Sequence, residues 1–152
     1  MTLKVKNHVL INGCTIGHAT VVSNRIEGKG YGVPGYSMNP KYITIHNVGD
    51  DDVPGKNWYN AMHNANKTGF RTAGWHATVD YNTIYQSVAF NQCAWHAGDG
   101  KNGTGNRYSI GIEHCQYSKE KEKQRMVWEN SIALCKEIMK VYPISLNHVV
   151  QH

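Results

Sequence analysis

The spacing of apolar residues along the chain predicts strands that alternate with two helices. Period-two alternation or short apolar runs predict strands within residues 41–47, 74–90 (two strands joined by a turn at 80–83), 108–117 and 145–152. The helical spacing of Trp58, Met62 and Ala65 predicts a helix within residues 56–68. This order of elements predicts a single α/β domain with a central mixed β-sheet flanked by helices.

A second, longer amphipathic helix is predicted over residues 123–142. Its apolar side chains recur at helical intervals and are expected to face the core: Trp128, Ile132, Cys135, Met139 and Tyr142. Residues 1–35 are irregular and predict one or two short strands, whereas residues 49–55 and the glycine-rich residues 94–106 predict loops.

Composition restricts the classes of partner. The net charge of +5 could favour nucleic acid or an anionic polymer such as a bacterial wall. Because the basic residues are scattered rather than gathered in a stripe, we expect no nucleic-acid binding. The four cysteines form no C-x-x-C pair and are expected to be free thiols. The first residues lack a long apolar stretch, so neither a secretory signal nor membrane insertion is expected.

Two histidines follow apolar residues at the ends of predicted strands. His46 shares a strand face with Tyr42 and Thr44 and ends the strand, where α/β sheets commonly place ligands. His152 follows Val149 and Val150 in the same way. The two imidazoles could share a zinc ion, although a structural role is the alternative for each.

Glu113 is the candidate general base. In the predicted strand it shares a face with Ser109, Gly111 and Cys115, which are small enough to leave room for a substrate. A glutamate beside a zinc-bound water is suited to metal-assisted hydrolysis. The alternative is a surface glutamate on an edge strand.

His76 and His96 each follow a tryptophan. Either could line a cleft and hold a substrate by stacking and hydrogen bonding, and packing beside the tryptophan is the alternative. The loop around Asp99 lacks the G-K-[ST] of a phosphate-binding loop and the ligand series of an EF-hand. We interpret it as a tight loop on the rim of a cleft.

Several segments together resemble the zinc N-acetylmuramoyl-L-alanine amidases of the type 2 amidase family, and especially endolysins and autolysins of Gram-positive phages and bacilli. The matching segments are YITIHN, WHATVD, AWHAGDG, GNRYSIGIEHC and NHVVQH, and the resemblance covers residues 36–152. It implies a peptidoglycan hydrolase that cuts the amide between N-acetylmuramic acid and the first L-alanine of the stem peptide. The fold is related to the peptidoglycan recognition proteins, so a non-catalytic peptidoglycan-binding module is the alternative function.

The resemblance also implies residue roles. His46 and His152 match the first and second zinc ligands, and Glu113 matches the acidic residue that polarises the attacking water. Trp75 and His76 match an aromatic-histidine pair near the cleft. It further implies a protein that waits in the host cytoplasm until lysis and then acts on the cell wall.

The family motif that begins at the second histidine continues through a lysine to a cysteine or aspartate, which is the third zinc ligand. Neither residue follows His152 in this sequence. We therefore expect an incomplete catalytic domain, separated from a wall-binding domain. Water, another molecule, or the side chain of His96 or Asp99 could complete the zinc site, and with two protein ligands the zinc affinity should fall.

Overall fold

The computed structural model describes residues 2–152. Within them the strands are β1 Val5–Lys6, β2 Val9–Leu10, β3 Thr15–Ile16, β4 Ala19–Ser23, β5 Tyr42–Asp51, β6 Ala77–Val79, β7 Thr83–Gln86, β8 Ser109–Gln116 and β9 Val149–Gln151. The helices are α1 Gly55–Thr68, α2 Thr104–Tyr108 and α3 Lys121–Met139, and a 3₁₀ turn spans Leu146–His148.

Seven strands form one mixed sheet in the order β3-β4-β7-β6-β8-β5-β9, and β1 pairs with β2 separately. Strand β5 pairs in parallel with β8 on one side and with β9 on the other, whereas β6 and β7 form an antiparallel hairpin. The helices flank this sheet, so the predicted fold class is confirmed. The parallel trio matters most for function because it brings the ends of three distant segments to one edge.

The core follows from the strand pattern. Ile43 of β5 and Ile110 and Ile112 of β8 are fully buried, and α3 adds Leu134 and Ile138 to the same cluster. Helix α1 packs its Met62 into a second, smaller cluster with Val33, Val88 and Ala94. Gly69 ends α1 in the left-handed region at φ 74°, which glycine adopts without steric cost.

The apolar face predicted for α3 is wrong in part. Trp128 is 55% exposed and Ile132 is 56% exposed, whereas Val127 and Leu134 are fully buried. The reason is the buried Asn130, which anchors the helix through polar contacts. Its side-chain amide donates to the carbonyls of Asp80 (2.8 Å) and Tyr81 (3.0 Å), and its Oδ1 accepts from the His18 N–H (2.7 Å).

With Asn130 directed inward, Trp128 and Ile132 are rotated away from the sheet. They line an apolar groove of about 350 Å³ together with Met139, Leu146 and Val149. Cys135 of the predicted face is buried, and Met139 is partly buried against the core.

Other element boundaries differ from those predicted. Four short strands rather than one or two occupy residues 5–23. Strand β5 runs on to Asp51, into the predicted loop, because its backbone continues to pair with β8 after an irregularity between Asn47 and Asp51. The short helix α2 begins within the predicted glycine-rich loop and continues to Tyr108, and the last predicted strand begins only after a 3₁₀ turn.

No helix within residues 2–152 is long and apolar enough to cross a membrane. Cys14, Cys93, Cys115 and Cys135 are free thiols, and all but Cys14 are buried.

Candidate metal and catalytic site

His46 lies in β5 with only 7% of its surface exposed. Its Nε2 is 3.0 Å from His96 Nδ1. Burial, reinforced by the neighbouring His96 and His152, lowers the pKa of His46 to about 4. The ring is therefore neutral at physiological pH, which is the form that can bind a metal ion.

His152 is placed beside His46 by the parallel pairing of β9 with β5. That pairing sets Ile45 against Gln151, and the His152 N–H donates to the Ile45 carbonyl at 3.0 Å. The ring centroids of His46 and His152 are 4.9 Å apart, with the ring planes inclined at 60°. Since His152 is exposed, the pair joins one buried and one open imidazole.

Two imidazoles this close can both reach one zinc ion, because zinc–nitrogen bonds are about 2.0–2.1 Å long. The donor set fits zinc in chemical type but supplies two ligands. Among residues 2–152 no group of three or more histidine, cysteine, aspartate or glutamate side chains is arranged to hold one metal ion.

The two side chains that might have completed the site have other partners. His96 lies between His46 and the Ser109 carbonyl, which is 3.0 Å from its Nε2. The two Asp99 carboxylate oxygens accept hydrogen bonds from the N–H groups of Gly105 and Asn106 at 2.7 and 3.1 Å. Asp99 thus holds its own loop closed at the beginning of α2.

Glu113 is the register partner of His46 on the adjacent parallel strand β8. Its Oε2 is buried and has no hydrogen-bond partner among the described residues. Burial raises the pKa of Glu113 to about 8. A carboxyl group with so high a pKa is a stronger proton acceptor than an ordinary glutamate once it is ionised.

A cleft of about 480 Å³ opens beside Glu113. Trp75 lines it and donates from Nε1 to Thr78 Oγ1 at 2.8 Å. Other lining residues come from α1 and the segment after it: Trp58, Met62, Phe70 and Arg71. Asn47, the residue after His46 in β5, also lines it.

His76 is fully buried, unlike Trp75. Its Nδ1 accepts from the Gly111 N–H at 2.9 Å, and its Nε2 donates to the Gln92 carbonyl at 2.7 Å. Burial lowers the pKa of His76 to about 4. The ring has no exposed surface for a substrate, so in this geometry it packs against the site from inside the fold.

The sequence predicts for Ser109 and Gly111 only that they leave room for a substrate beside Glu113, and for Trp58 only a place in a helix. In the structure, the Ser109 carbonyl and the bare Cα of Gly111 instead meet the His96 ring. The buried Nε1 of Trp58 has no hydrogen-bond partner within residues 2–152. Gly111 is recognisable in the sequence two positions before Glu113. Its contact with His96 is not, because His96 lies in a loop whose position cannot be predicted from the spacing of apolar residues.

Comparison with known proteins places this chain in a family. Residues 36–152 match the model of the N-acetylmuramoyl-L-alanine amidase family. The N-acetylmuramoyl-L-alanine amidase CwlH of Bacillus subtilis (strain 168) is 41% identical over 124 residues, which cover 78% of this chain and 46% of CwlH. The amidase XlyA of the same strain is 42% identical over 119 residues, which cover 78% of this chain and 38% of XlyA.

The chain thus spans less than half the length of either amidase. A solved structure of a mutant endolysin from Bacillus subtilis superposes with a TM-score of 0.77 at 37% identity, covering 88% of this chain and 84% of that one. The match over residues 36–152, together with these similarities in sequence and fold, shows that the chain belongs to the N-acetylmuramoyl-L-alanine amidase family.

Proposed function

We propose that this chain hydrolyses peptidoglycan at the amide between N-acetylmuramic acid and L-alanine, with zinc held by His46 and His152. The observation that carries the proposal is the strand order β8-β5-β9, which sets Glu113, His46 and His152 side by side at one edge of the sheet. The related amidases and the endolysin support the same reaction.

The chain's own groups have separable tasks. The neutral ring of His46 and the exposed ring of His152 would hold the metal ion. A bound zinc ion would make its water more acidic and polarise the substrate carbonyl. Glu113, when ionised, accepts the proton of the attacking water at its carboxylate and then donates that proton to the departing L-alanine nitrogen. The water oxygen bonds to the carbonyl carbon first; the C–N bond then breaks, and the nitrogen leaves as an amine with the proton from Glu113, which leaves the lactyl group as a carboxylic acid.

The cleft beside Glu113 is the proposed substrate site. Its lining is mainly apolar and aromatic, with Trp75 half-buried and Phe70 80% exposed. Flat aromatic surfaces suit the apolar faces of sugar rings and short peptides. Arg71 is the cation of this lining and could meet a stem-peptide carboxylate.

The described residues supply two histidine ligands for the zinc ion, and no third ligand is proposed among them. His96 and Asp99 are not proposed as ligands, since each is held by other partners. His96 supports the site from behind, and His76 is not proposed to contact substrate because it is buried.

We propose that the chain acts on the cell wall, in keeping with its similarity to an endolysin, and that it reaches the wall from the host cytoplasm at lysis. We propose peptidoglycan as the partner and neither nucleic acid nor membrane.

The test is cleavage of a purified muropeptide in which N-acetylmuramic acid is joined to L-alanine by an amide bond. Wild-type protein with added zinc should release the stem peptide and leave intact muramic acid, which mass spectrometry identifies by the two product masses. A chelator should abolish release. Binding of the muropeptide without any cleavage, in zinc-loaded protein, would overturn the hydrolase proposal in favour of a peptidoglycan-binding module.

A further inference from the structure

We infer that His96 is a positioning residue that fixes the hydrogen-bonding state and orientation of the His46 ring, and that Gly111 is a glycine because it seats the His96 ring. The inference about hydrogen bonding stands on geometry alone. Its consequence for metal binding rests on the proposed function.

The Ser109 carbonyl determines which atom donates in each hydrogen bond of the series His46–His96–Ser109. The Ser109 carbonyl can only accept, so His96 Nε2 must carry the hydrogen across their 3.0 Å contact. In a neutral His96 ring, Nδ1 is then an acceptor. The hydrogen in the 3.0 Å contact between His96 Nδ1 and His46 Nε2 therefore belongs to His46.

This assignment leaves one nitrogen of His46 with a free lone pair. A neutral His46 that donates from Nε2 has an unprotonated Nδ1. No hydrogen bond joins that Nδ1 to any group among residues 2–152, so it is the nitrogen available to a ligand. Metal-binding histidines commonly donate their second N–H to a fixed acceptor, which sets the tautomer and the ring orientation.

The His96 ring is held in place from several sides. The His96 N–H donates to Asn106 Oδ1 at 2.9 Å, and the ring of His76 stands edge-on to it at 5.9 Å. A Cβ on Gly111 would come within 2.5 Å of His96 Cγ and 2.8 Å of its Nδ1. The strand backbone at Gly111 therefore passes directly against the imidazole, and any larger residue there would displace it.

The contacts of His96 connect three segments that are distant in sequence. Strand β8 supplies Gly111, which packs against the His96 ring, and Ser109, whose carbonyl accepts from His96. The glycine-rich loop supplies His96, and β5 supplies His46. His96 therefore accepts from His46 at Nδ1 and donates its own ring hydrogen from Nε2 to the Ser109 carbonyl.

The geometry can be tested without any metal. In chelator-treated protein labelled with ¹⁵N-histidine, at mildly alkaline pH, NMR should detect a scalar coupling across the hydrogen bond between His46 Nε2 and His96 Nδ1. The same spectra should show His46 protonated at Nε2. Absence of the coupling, or a His46 protonated at Nδ1, would overturn the inference.

A matched pair of variants separates hydrogen bonding from packing. Asn places an acceptor oxygen where His96 Nδ1 lies, whereas Leu has nearly the same shape as Asn and no acceptor. We expect His96→Leu to weaken zinc binding by about 10- to 100-fold and His96→Asn to stay within a few-fold of wild type, as titration calorimetry with zinc alone would show. Equal losses in both variants would mean that His96 only fills space, which contradicts the inference.

Two more variants complete the design. Gly111→Ala should displace the His96 ring, abolish the His46–His96 coupling and weaken zinc binding as His96→Leu does. His63→Leu is the control, because His63 bonds Ser87 Oγ at 3.0 Å away from the site and should change neither readout. If wild-type protein shows the coupling but binds no zinc, the proposed function fails while the positioning of His46 by His96 stands.

Discussion

Glu113 and His46 stand side by side as register partners on parallel strands β8 and β5. The buried Oε2 of Glu113 has no hydrogen-bond partner among the described residues, whereas His46 is tied through Nε2 to His96. One residue is thus free to exchange a proton and the other is fixed. This difference fits the roles proposed above, a proton acceptor for Glu113 and a metal ligand for His46.

Replacing Glu113 with Gln should therefore separate chemistry from metal binding. The amide keeps the size of the side chain but cannot accept the proton of the attacking water. We expect muropeptide cleavage to fall by about 10²- to 10⁴-fold, while zinc binding and the circular dichroism spectrum stay unchanged. Cleavage is measured by quantifying the released stem peptide.

Glu137→Gln is the matched control, because Glu137 is a partly buried glutamate on α3 that pairs with Lys140 at 2.7 Å. It should cleave as wild type does. Undiminished cleavage by Glu113→Gln would assign the proton acceptor to another group.

The same carboxyl should make stability depend on pH. Burial raises the pKa of Glu113 from an ordinary value of 4.5 to about 8, so between these pH values the folded state holds a proton that the unfolded state has lost. The contribution of Glu113 to stability therefore falls as pH rises through this window. Glu113→Gln has no such proton to lose.

We expect metal-free wild-type protein to lose, relative to Glu113→Gln, on the order of a few kcal/mol of unfolding free energy between about pH 5 and pH 9. Urea denaturation of both proteins at the two pH values, with a chelator present, measures the difference. Parallel pH curves for the two proteins would show that the folded-state pKa of Glu113 is not raised.

Asp80 is predicted to stabilise the fold rather than the site. Its buried carboxylate accepts three hydrogen bonds of 2.7 Å, from the N–H groups of Gly55 and Tyr81 and from the Tyr117 hydroxyl. It therefore joins the β6–β7 turn to the beginning of α1 and the end of β8. Removing it leaves three buried donors without an acceptor.

We expect Asp80→Ala to lower the unfolding free energy by about 3 kcal/mol, measured by urea denaturation at neutral pH. The exposed Asp50 provides the comparison, and Asp50→Ala should change stability by less than about 0.5 kcal/mol. A similar small effect at both positions would contradict the role given to Asp80.

Part of the candidate site could be predicted from the sequence, because alternating and apolar runs mark the strands that carry His46 and His152. The prediction that His46 ends its strand is wrong, since β5 continues to Asp51; the parallel pairing of β5 with β9, rather than two strand ends, brings the two histidines together. The contact between His46 and His96 could not be predicted, since His96 lies in a loop whose path depends on the close approach to Gly111. The burial of His76 could not be predicted either, because its ring hydrogen-bonds to backbone groups of distant segments, the Gln92 carbonyl and the Gly111 N–H.

The face of α3 shows a different limit. Hydrophobic spacing selected Trp128 and Ile132, but the buried amide of Asn130 satisfies backbone carbonyls in the turn at Asp80 and Tyr81 and directs the neighbouring Leu134 inward. Periodicity scores a buried asparagine as polar and so rotates the predicted face. Only the tertiary partners of Asn130 reveal that this position lies inside.

This rotation has a measurable consequence for stability. Trp128 is 55% exposed and Leu134 is fully buried, although both are large apolar residues on one helix. Leu134→Ala should lower the unfolding free energy by about 2–5 kcal/mol, because it opens a cavity in the core. Trp128→Ala should cost about 1–2 kcal/mol, less than Leu134→Ala, because more than half of the Trp128 surface already meets water. Urea denaturation of the two variants shows which face of α3 is buried. A larger loss of unfolding free energy for Trp128→Ala than for Leu134→Ala would mean that the predicted face with Trp128 and Ile132 is buried and that Asn130 faces solvent.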